Sequence, residues 1–329
     1  MAIFPEVGLT DQYALLWHGG IFHHGLIEGW TDRIKKIDIK TPAPPVDGPE
    51  GEALLRTALA DHRNNVDMAA LAGGLPFRDS VDPKTGIRPW LEWSPITYRK
   101  EIERSGVAIY HLAGWFDRYV LGQIVLYKNL GNPQRITIGP WSHVQDHELD
   151  SGAEHHRFYD YWLKGIDNGI TQEDPVHYYV MGSGWRSARQ WPLPDEKRTW
   201  VSADVADADL FVYLEEVDAK GASHYVTEGA LRASHRAKAD PGYDYLGMPW
   251  HRSFAADASP LPKGKPVELA FDLFPTSNLF DAGHRIRVTV TGADRANATT
   301  PEQTPPPRLI LHREDGRASH IVLPIIPAR

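Results

Sequence analysis

The sequence contains no cysteine. It therefore has no disulfide, no thiolate nucleophile and no cysteine-bound zinc, and the lack of thiols favours a reducing compartment. No stretch approaches 18 uncharged apolar residues, and the first residues lack the basic start and apolar core of a signal peptide. We expect a cytoplasmic protein without a membrane span.

Runs of positive charge are also absent. Lys and Arg are scattered, and the formal net charge is -8 at pH 7. A surface that follows a phosphate backbone needs clustered positive charge, so neither nucleic acid nor a membrane is expected as a partner. A homo-oligomer is compatible with the sequence, which does not decide the oligomeric state.

Apolar residues are plentiful. The chain has 329 residues, of which 42% are hydrophobic, and this is more than one domain usually needs for its core. Its 26 Pro and 28 Gly predict many turns and a large share of β structure. Two or three structural units are expected.

Hydrophobic periodicity divides the chain into four stretches. Residues 1–19 are predicted to begin an α/β domain, 20–100 to form an inserted helical cap, and 101–194 to complete the α/β domain. From 195 to 329 short alternating segments are separated by Gly/Pro corners without helices. This pattern predicts an all-β jelly roll of the galactose-binding-like type.

Two segments are predicted as the central strands of that β-domain. They are Val267–Leu273 and His284–Thr291, which belong to the short alternating segments in this part of the chain.

A βαβ unit is predicted between residues 107 and 143. Val107–Ala113 is an apolar run typical of a buried parallel strand, a helix is expected over Val120–Asn129, and Arg135–Ile138 predicts a second strand. Asp117 and His143 each follow one of the strands. The carboxyl ends of parallel strands meet at one edge of a sheet, so we expect the two side chains within about 3.5 Å.

An Asp–His pair has a defined chemistry. The carboxylate fixes the imidazole tautomer and stabilises the imidazolium, while the other ring nitrogen takes a proton from a hydroxyl. The alternative is that Asp117 caps the following helix and His143 is only a polar loop residue. A metal site is a third interpretation, because His147 lies four residues after His143 and His155-His156 follows.

Two motifs carry a family resemblance. Gly114-Trp-Phe-Asp117 and Gly139-Pro-Trp-Ser-His143 resemble the segments that bear the triad aspartate and histidine in the cocaine esterase and X-Pro dipeptidyl-peptidase family. The similarity continues at Phe158–Leu163, Val180–Trp185 and Gly229–Arg236, and it covers most of the chain.

The resemblance implies a partial α/β-hydrolase fold with a helical cap and a jelly roll. It implies a serine hydrolase of the CocE/NonD, X-Pro dipeptidyl-peptidase type that acts on acyl esters or amides through a Ser-His-Asp acyl-enzyme mechanism. Asp117 and His143 would then be catalytic, with no metal or organic cofactor required.

The chain departs from the family pattern in two places. The family nucleophile sits in a G-x-S-x-G-like elbow, and no serine here has that glycine frame. Phe4–Asp11 resembles the strand just after the elbow, so we expect the serine to be missing and the chain alone to be inactive. Relatives also carry a long stretch where Trp200 here meets Val201, which predicts a truncated β-domain.

These departures leave a second interpretation open. The chain could be a non-catalytic binding or assembly fragment derived from the same family. As for the substrate, relatives that act on α-amino acid esters hold the ammonium group with carboxylates shortly after the triad aspartate. Here those places are Arg118, Tyr119 and Val120, so the resemblance implies a neutral or acidic acyl ester or amide.

Overall fold

A computed structural model describes residues 1–143, 149–191, 207–262, 265–302, 309–312 and 318–323. The chain is a mixed α/β protein with one mainly parallel and one antiparallel sheet. The predicted domain boundary at residue 195 lies outside the described residues, so the domain limits stay a prediction.

The first sheet has five strands in sequential order: β1 (Ala2–Ile3), β2 (Ala108–Gly114), β3 (Gln134–Gly139), β4 (Val176–Val180) and β5 (Gly184–Ala188). The first four strands run parallel, and β5 returns antiparallel to β4. Every residue of β2 is buried. This two-sided burial explains its apolar run and confirms the strand predicted there.

Eight α-helices accompany the sheets in the described part of the chain: α1 (Gln12–Leu16), α2 (His24–Lys35), α3 (Gly51–His62), α4 (Met68–Gly73), α5 (Pro89–Glu92), α6 (Arg99–Ser105), α7 (Val120–Asn129) and α8 (Ser151–Lys164). Helices α2 to α5 lie in the stretch predicted as a cap, whereas α7 packs against β2 and β3. None of the described helices combines the length and the apolar character needed to cross a bilayer.

The second sheet is antiparallel and has three strands: β6 (Asp209–Val217), β7 (Ser223–Arg232) and β8 (Arg285–Thr291), in the order β7-β6-β8. Its antiparallel character fits the predicted β-domain. The jelly-roll topology stays a prediction.

The two segments predicted as central strands have different outcomes: His284–Thr291 is confirmed as a strand by β8, although not in the central position, whereas residues 267–273 form no regular strand. Just after residues 267–273, the Thr227 hydroxyl of β7 donates to the Phe274 carbonyl at 2.7 Å. The Phe274 N–H donates to the Glu228 carbonyl of β7 at 2.8 Å. Within the described part of the chain β6 is the central strand and β8 lies at one edge of the sheet, where Ile286 is half exposed.

A buried ion pair joins three distant segments. Arg78 Nη1 lies 2.7 and 2.6 Å from the two carboxylate oxygens of Asp11, and Arg78 Nε donates to the Arg252 carbonyl at 3.0 Å. The two charged side chains are only 8% and 12% exposed. The guanidinium also lies over the rings of Tyr13 and Trp250, 4.7 and 5.2 Å from their centroids, which adds cation–π attraction.

Replacing Arg78 with alanine should destabilise the protein by about 3–5 kcal/mol, because Asp11 would keep a buried charge without its partner. Urea unfolding followed by tryptophan fluorescence measures this. The control is Arg104→Ala, which removes an exposed pair with Glu101 and should cost less than about 1 kcal/mol. Equal losses in the two variants would contradict the importance of the buried pair.

His235 should make the protein sensitive to acid. Burial, with the nearby Arg232 adding to it, lowers the pKa of His235 from 6.5 to about 4. Between these two pH values His235 binds a proton in the unfolded chain but not in the folded protein. Stability is therefore lost as the pH falls from 6.5 towards 4. The loss is on the order of 3 kcal/mol over the whole window.

The test compares urea unfolding at pH 7 and pH 5. His235→Gln should shrink the difference between the two free energies by about 2 kcal/mol, whereas His156→Gln, at an exposed position of α8, should leave the difference unchanged. An undiminished difference in His235→Gln would show that other groups cause the acid sensitivity.

Candidate active site

The register of β2 and β3 places two loops side by side. Gly114 at the end of β2 pairs with Gly139 at the end of β3. Beyond the sheet, the Trp115 N–H donates to the Gly139 carbonyl at 2.9 Å and the Phe116 N–H to the Trp141 carbonyl at 3.2 Å. The two loops therefore leave the same edge of the sheet in contact with each other.

Glycine is required at both strand ends. A Cβ atom on Gly114 would overlap the backbone carbonyl of Trp141, and one on Gly139 would overlap the indole ring of the same residue. The buried Trp141 thus fills the space that the two missing side chains leave. This close approach explains why each motif begins with glycine.

The structure brings the two predicted site residues together. Asp117 Oδ2 lies 3.0 Å from His143 Nδ1, which confirms the predicted separation. The Asp117 side chain is 5% exposed and the His143 side chain 57%. With the Nδ1 proton donated to the carboxylate, Nε2 is the nitrogen left to exchange protons. Among the described residues, Asp117 is the one hydrogen-bond partner of His143.

The alternative role of Asp117 as a helix cap is not the one observed. Helix α7 begins after Tyr119, and no side chain caps it. Asp117 Oδ1 accepts a hydrogen bond from the Tyr119 N–H at 3.2 Å, inside the turn that precedes the helix. This bond holds Oδ1 in place, while Oδ2 contacts His143.

Tyr119 is a neighbour that sequence reasoning did not assign to the pair. Its ring centroid lies 5.4 Å from that of His143, so the phenol flanks the imidazole. Burial, followed by the charge of Asp117, raises the pKa of Tyr119. The phenol therefore stays protonated and uncharged beside the carboxylate.

Four further polar residues form a group that sequence reasoning did not predict. Arg118 Nη2 donates to Glu228 Oε1 of β7 at 3.0 Å, and His18 and His23 lie beside Arg118 around a small cavity. No local pattern could have revealed this group, because Glu228 is 110 residues away from Arg118 in the chain.

The described residues give little support to the metal interpretation. His155 Nε2 lies 3.2 Å from Glu6 Oε1, and its ring packs on Phe4. His147 lies outside the described residues.

A second possible ligand group in the described chain consists of Glu216, Asp281 and His284. There, Glu216 Oε1 is already bonded to His284 Nδ1 at 2.7 Å and to the Asp281 N–H at 3.0 Å. These bonds account for the cluster without an ion.

Comparisons with known proteins agree with this geometry. Residues 1–145 match the family model described as X-Pro dipeptidyl-peptidase (S15 family), and residues 198–322 match the X-Pro dipeptidyl-peptidase C-terminal non-catalytic domain. A protein of Mycobacterium bovis named as a serine esterase is 30% identical over 98% of this chain, which covers 72% of that protein. The chain belongs to the CocE/NonD and X-Pro dipeptidyl-peptidase family.

Other members of this hydrolase family share the fold. Cocaine esterase from Rhodococcus is 22% identical, with 99% of this chain and 76% of the esterase covered. A CocE/NonD family hydrolase from Staphylococcus aureus superposes with a TM-score of 0.75 at 18% identity, covering 98% of this chain and 67% of the other. An α-amino acid ester hydrolase gives a TM-score of 0.57 at 13% identity, with coverages of 90% and 66%.

The relatives carry internal residues that this family member lacks. The alignment with the Mycobacterium bovis protein extends over 454 residues, more than the 329 residues of the whole chain. This difference is compatible with the gap predicted between Trp200 and Val201, which lie outside the described residues.

The glycine at the end of β3 offers a test of the site architecture. Gly139→Ala should destabilise the protein by about 1–3 kcal/mol, because the new methyl group needs the space of the Trp141 ring. The matched control is Gly29→Ala, which lies in α2 with open space around it and should gain up to about 1 kcal/mol from helix propensity. Thermal and urea unfolding measure both changes, and a neutral Gly139→Ala would contradict the close packing.

Proposed function

We propose that this chain carries the acid and the base of a serine hydrolase that acts on acyl esters or amides. The observation that supports this is the 3.0 Å contact between buried Asp117 and exposed His143 at the carboxyl edge of a parallel sheet. Membership of a family that contains esterases and peptidases supports the reaction class.

In the proposed reaction, His143 Nε2 takes the proton of a serine hydroxyl as that oxygen attacks the substrate carbonyl. The Asp117 carboxylate holds the Nδ1 proton and stabilises the imidazolium that forms. His143 then returns its proton to the leaving alcohol or amine, which gives an acyl-enzyme. Water activated by the same imidazole releases the acid and regenerates the serine.

The nucleophile is proposed to be missing from these 329 residues. None of the serines has glycines two positions before and two positions after it, as the elbow motif requires. Ser183 has glycine on both sides but follows His143, against the Ser, Asp, His order of the fold. The chain alone is therefore proposed to be inactive.

The same observation favours a second candidate function. Without a nucleophile, the chain would serve as a non-catalytic binding or assembly fragment, with the truncated jelly roll as an interaction module. We place either form in the cytoplasm on the basis of the cysteine-free sequence.

The decisive experiment measures serine reactivity before and after a nucleophile is supplied. The purified chain should show no labelling by a fluorophosphonate probe and should hydrolyse aryl esters hardly faster than free imidazole does. Fusion to the upstream part of a relative, including its G-x-S-x-G elbow, should restore both. In that fusion His143→Ala should lower kcat/KM about 10⁶-fold and Asp117→Asn about 10⁴-fold.

The exposed His224→Ala is the matched control in the fusion and should leave kcat/KM unchanged. Labelling of the unmodified chain on a single serine would contradict the missing nucleophile and identify the residue that acts instead. A fusion that folds but stays inactive would favour the non-catalytic candidate.

A further inference from the structure

The His143 imidazole is held by a single hydrogen bond within the described part of the chain. That bond joins Nδ1 to Asp117 Oδ2 at 3.0 Å, and the His143 side chain is 57% exposed. One hydrogen bond fixes a distance but leaves the ring free to tilt and to change rotamer. An exposed imidazole also gains rotamer entropy when it leaves its partner for water. A second contact is therefore required to favour the paired orientation.

The tautomer of His143 depends on the same orientation. In the pair, the imidazole carries its proton on Nδ1, so that Nε2 is free to exchange protons. A neutral histidine side chain in water instead favours the proton on Nε2. Any contact that keeps the ring facing Asp117 therefore also determines which nitrogen exchanges protons.

The three residues after Asp117 have separate environments. Arg118 donates a hydrogen bond to the antiparallel sheet, and Val120 belongs to the hydrophobic core around β2 and β3. Tyr119 lies beside the pair: its ring centroid is 5.4 Å from that of His143, and the two ring planes are inclined by 38°. This spacing is typical of tilted and offset aromatic pairs. Of the three side chains, Tyr119 is the one that packs beside the imidazole.

The Tyr119 ring is itself held in place. It is partly buried and packs against the core cluster that includes Tyr13 and Leu15 of α1. Its backbone is fixed as well, because the Tyr119 N–H donates to Asp117 Oδ1 and its carbonyl accepts from the Gln123 N–H of α7 at 3.0 Å. The ring therefore forms a fixed surface against which the imidazole can pack.

The contact depends on the tyrosine ring and not on its hydroxyl group. Among the described residues, no hydrogen bond links the Tyr119 hydroxyl to Asp117 or His143. Burial, followed by the charge of Asp117, raises the pKa of Tyr119, so the phenol is uncharged near pH 7. Phenylalanine at this position would keep both the ring contact and the local charge.

We propose that Tyr119 is a positioning residue for His143, whose ring favours the orientation in which Nδ1–H faces Asp117. This inference rests on the proposed function, because it gives Tyr119 a part in keeping the base in its working tautomer. Tyr119 acts through the histidine and not on the substrate. Loss of an aromatic pair of this kind lowers the ratio of paired to unpaired orientations about 2- to 10-fold.

The test measures the tautomer of His143 in the purified chain by ¹⁵N NMR of the histidine side chains. Protonated and unprotonated ring nitrogens have well-separated ¹⁵N shifts, so the spectrum at the alkaline end of the titration gives the ratio of the Nδ1–H to the Nε2–H form. His143→Gln identifies the signals to follow. Asp117→Asn, whose amide can donate to Nδ1, provides the spectrum of the opposite tautomer.

The wild-type chain should be mainly in the Nδ1–H form, and Tyr119→Phe should match it. Tyr119→Leu keeps an apolar side chain against the core but has no ring, so it should lower the ratio about 2- to 10-fold. Tyr119→Ala should lower the ratio at least as far and provides a second measurement if leucine disturbs the core. Cooperative thermal unfolding shows which variants keep the fold.

The matched control removes a tyrosine ring beside a different histidine. Tyr159 of α8 stacks on His155 with 6.1 Å between the ring centroids, and Tyr159→Leu should leave the His143 ratio unchanged. An unchanged ratio in Tyr119→Leu and Tyr119→Ala would overturn the proposal. A loss in Tyr119→Phe as large as in Tyr119→Leu, or a similar loss in Tyr159→Leu, would also overturn it.

Activity of the fusion with an upstream nucleophile separates this inference from the proposed function. Tyr119→Leu should lower kcat of the fusion by the same factor as the tautomer ratio, and Tyr119→Phe should restore it. If the ratios change as expected but every folded fusion is inactive, the proposed function fails and the positioning role stands. If the wild-type chain has the Nε2–H form, both fail, whereas a wild-type Nδ1–H form that persists in Tyr119→Leu contradicts only the positioning role.

Discussion

The parallel pairing of β2 with β3 is the constraint on which the candidate site depends. It places Gly114 opposite Gly139. Asp117 follows three residues after the first glycine, and His143 follows four residues after the second. The loop between each strand and its polar residue is therefore short. The site geometry is therefore fixed by backbone hydrogen bonds and by the packing of Trp141, before any contact between the two polar groups adds to it.

The parts that sequence reasoning predicted are those with local signals. The β2 strand has an apolar run broken only by His111, α7 ends two residues before Gly131-Asn-Pro133, and both motifs lie next to the strands that position them. Residues 267–273 alternate as a strand does but form no regular strand, because alternation alone does not supply a partner strand for a backbone ladder. The group around Arg118 was not predictable, because packing between distant segments creates it.

The antiparallel sheet contributes directly to the surroundings of the site. Glu228 on β7 orients Arg118, the residue immediately after Asp117. Phe274, which follows the irregular segment along β7, packs against both Arg118 and His18. A part of the chain that matches a non-catalytic domain therefore shapes the space beside the proposed catalytic pair.

The contacts of Arg78 also have a consequence for the order of events on the ribosome. The guanidinium binds Asp11 near the start of the chain and the carbonyl of Arg252, 174 residues further on than Arg78. While residue 252 is still inside the exit tunnel, the emerging amino-terminal two thirds cannot complete this arrangement. The ion pair with Asp11 can therefore gain its contact with the Arg252 carbonyl only after the late segment has emerged from the ribosome.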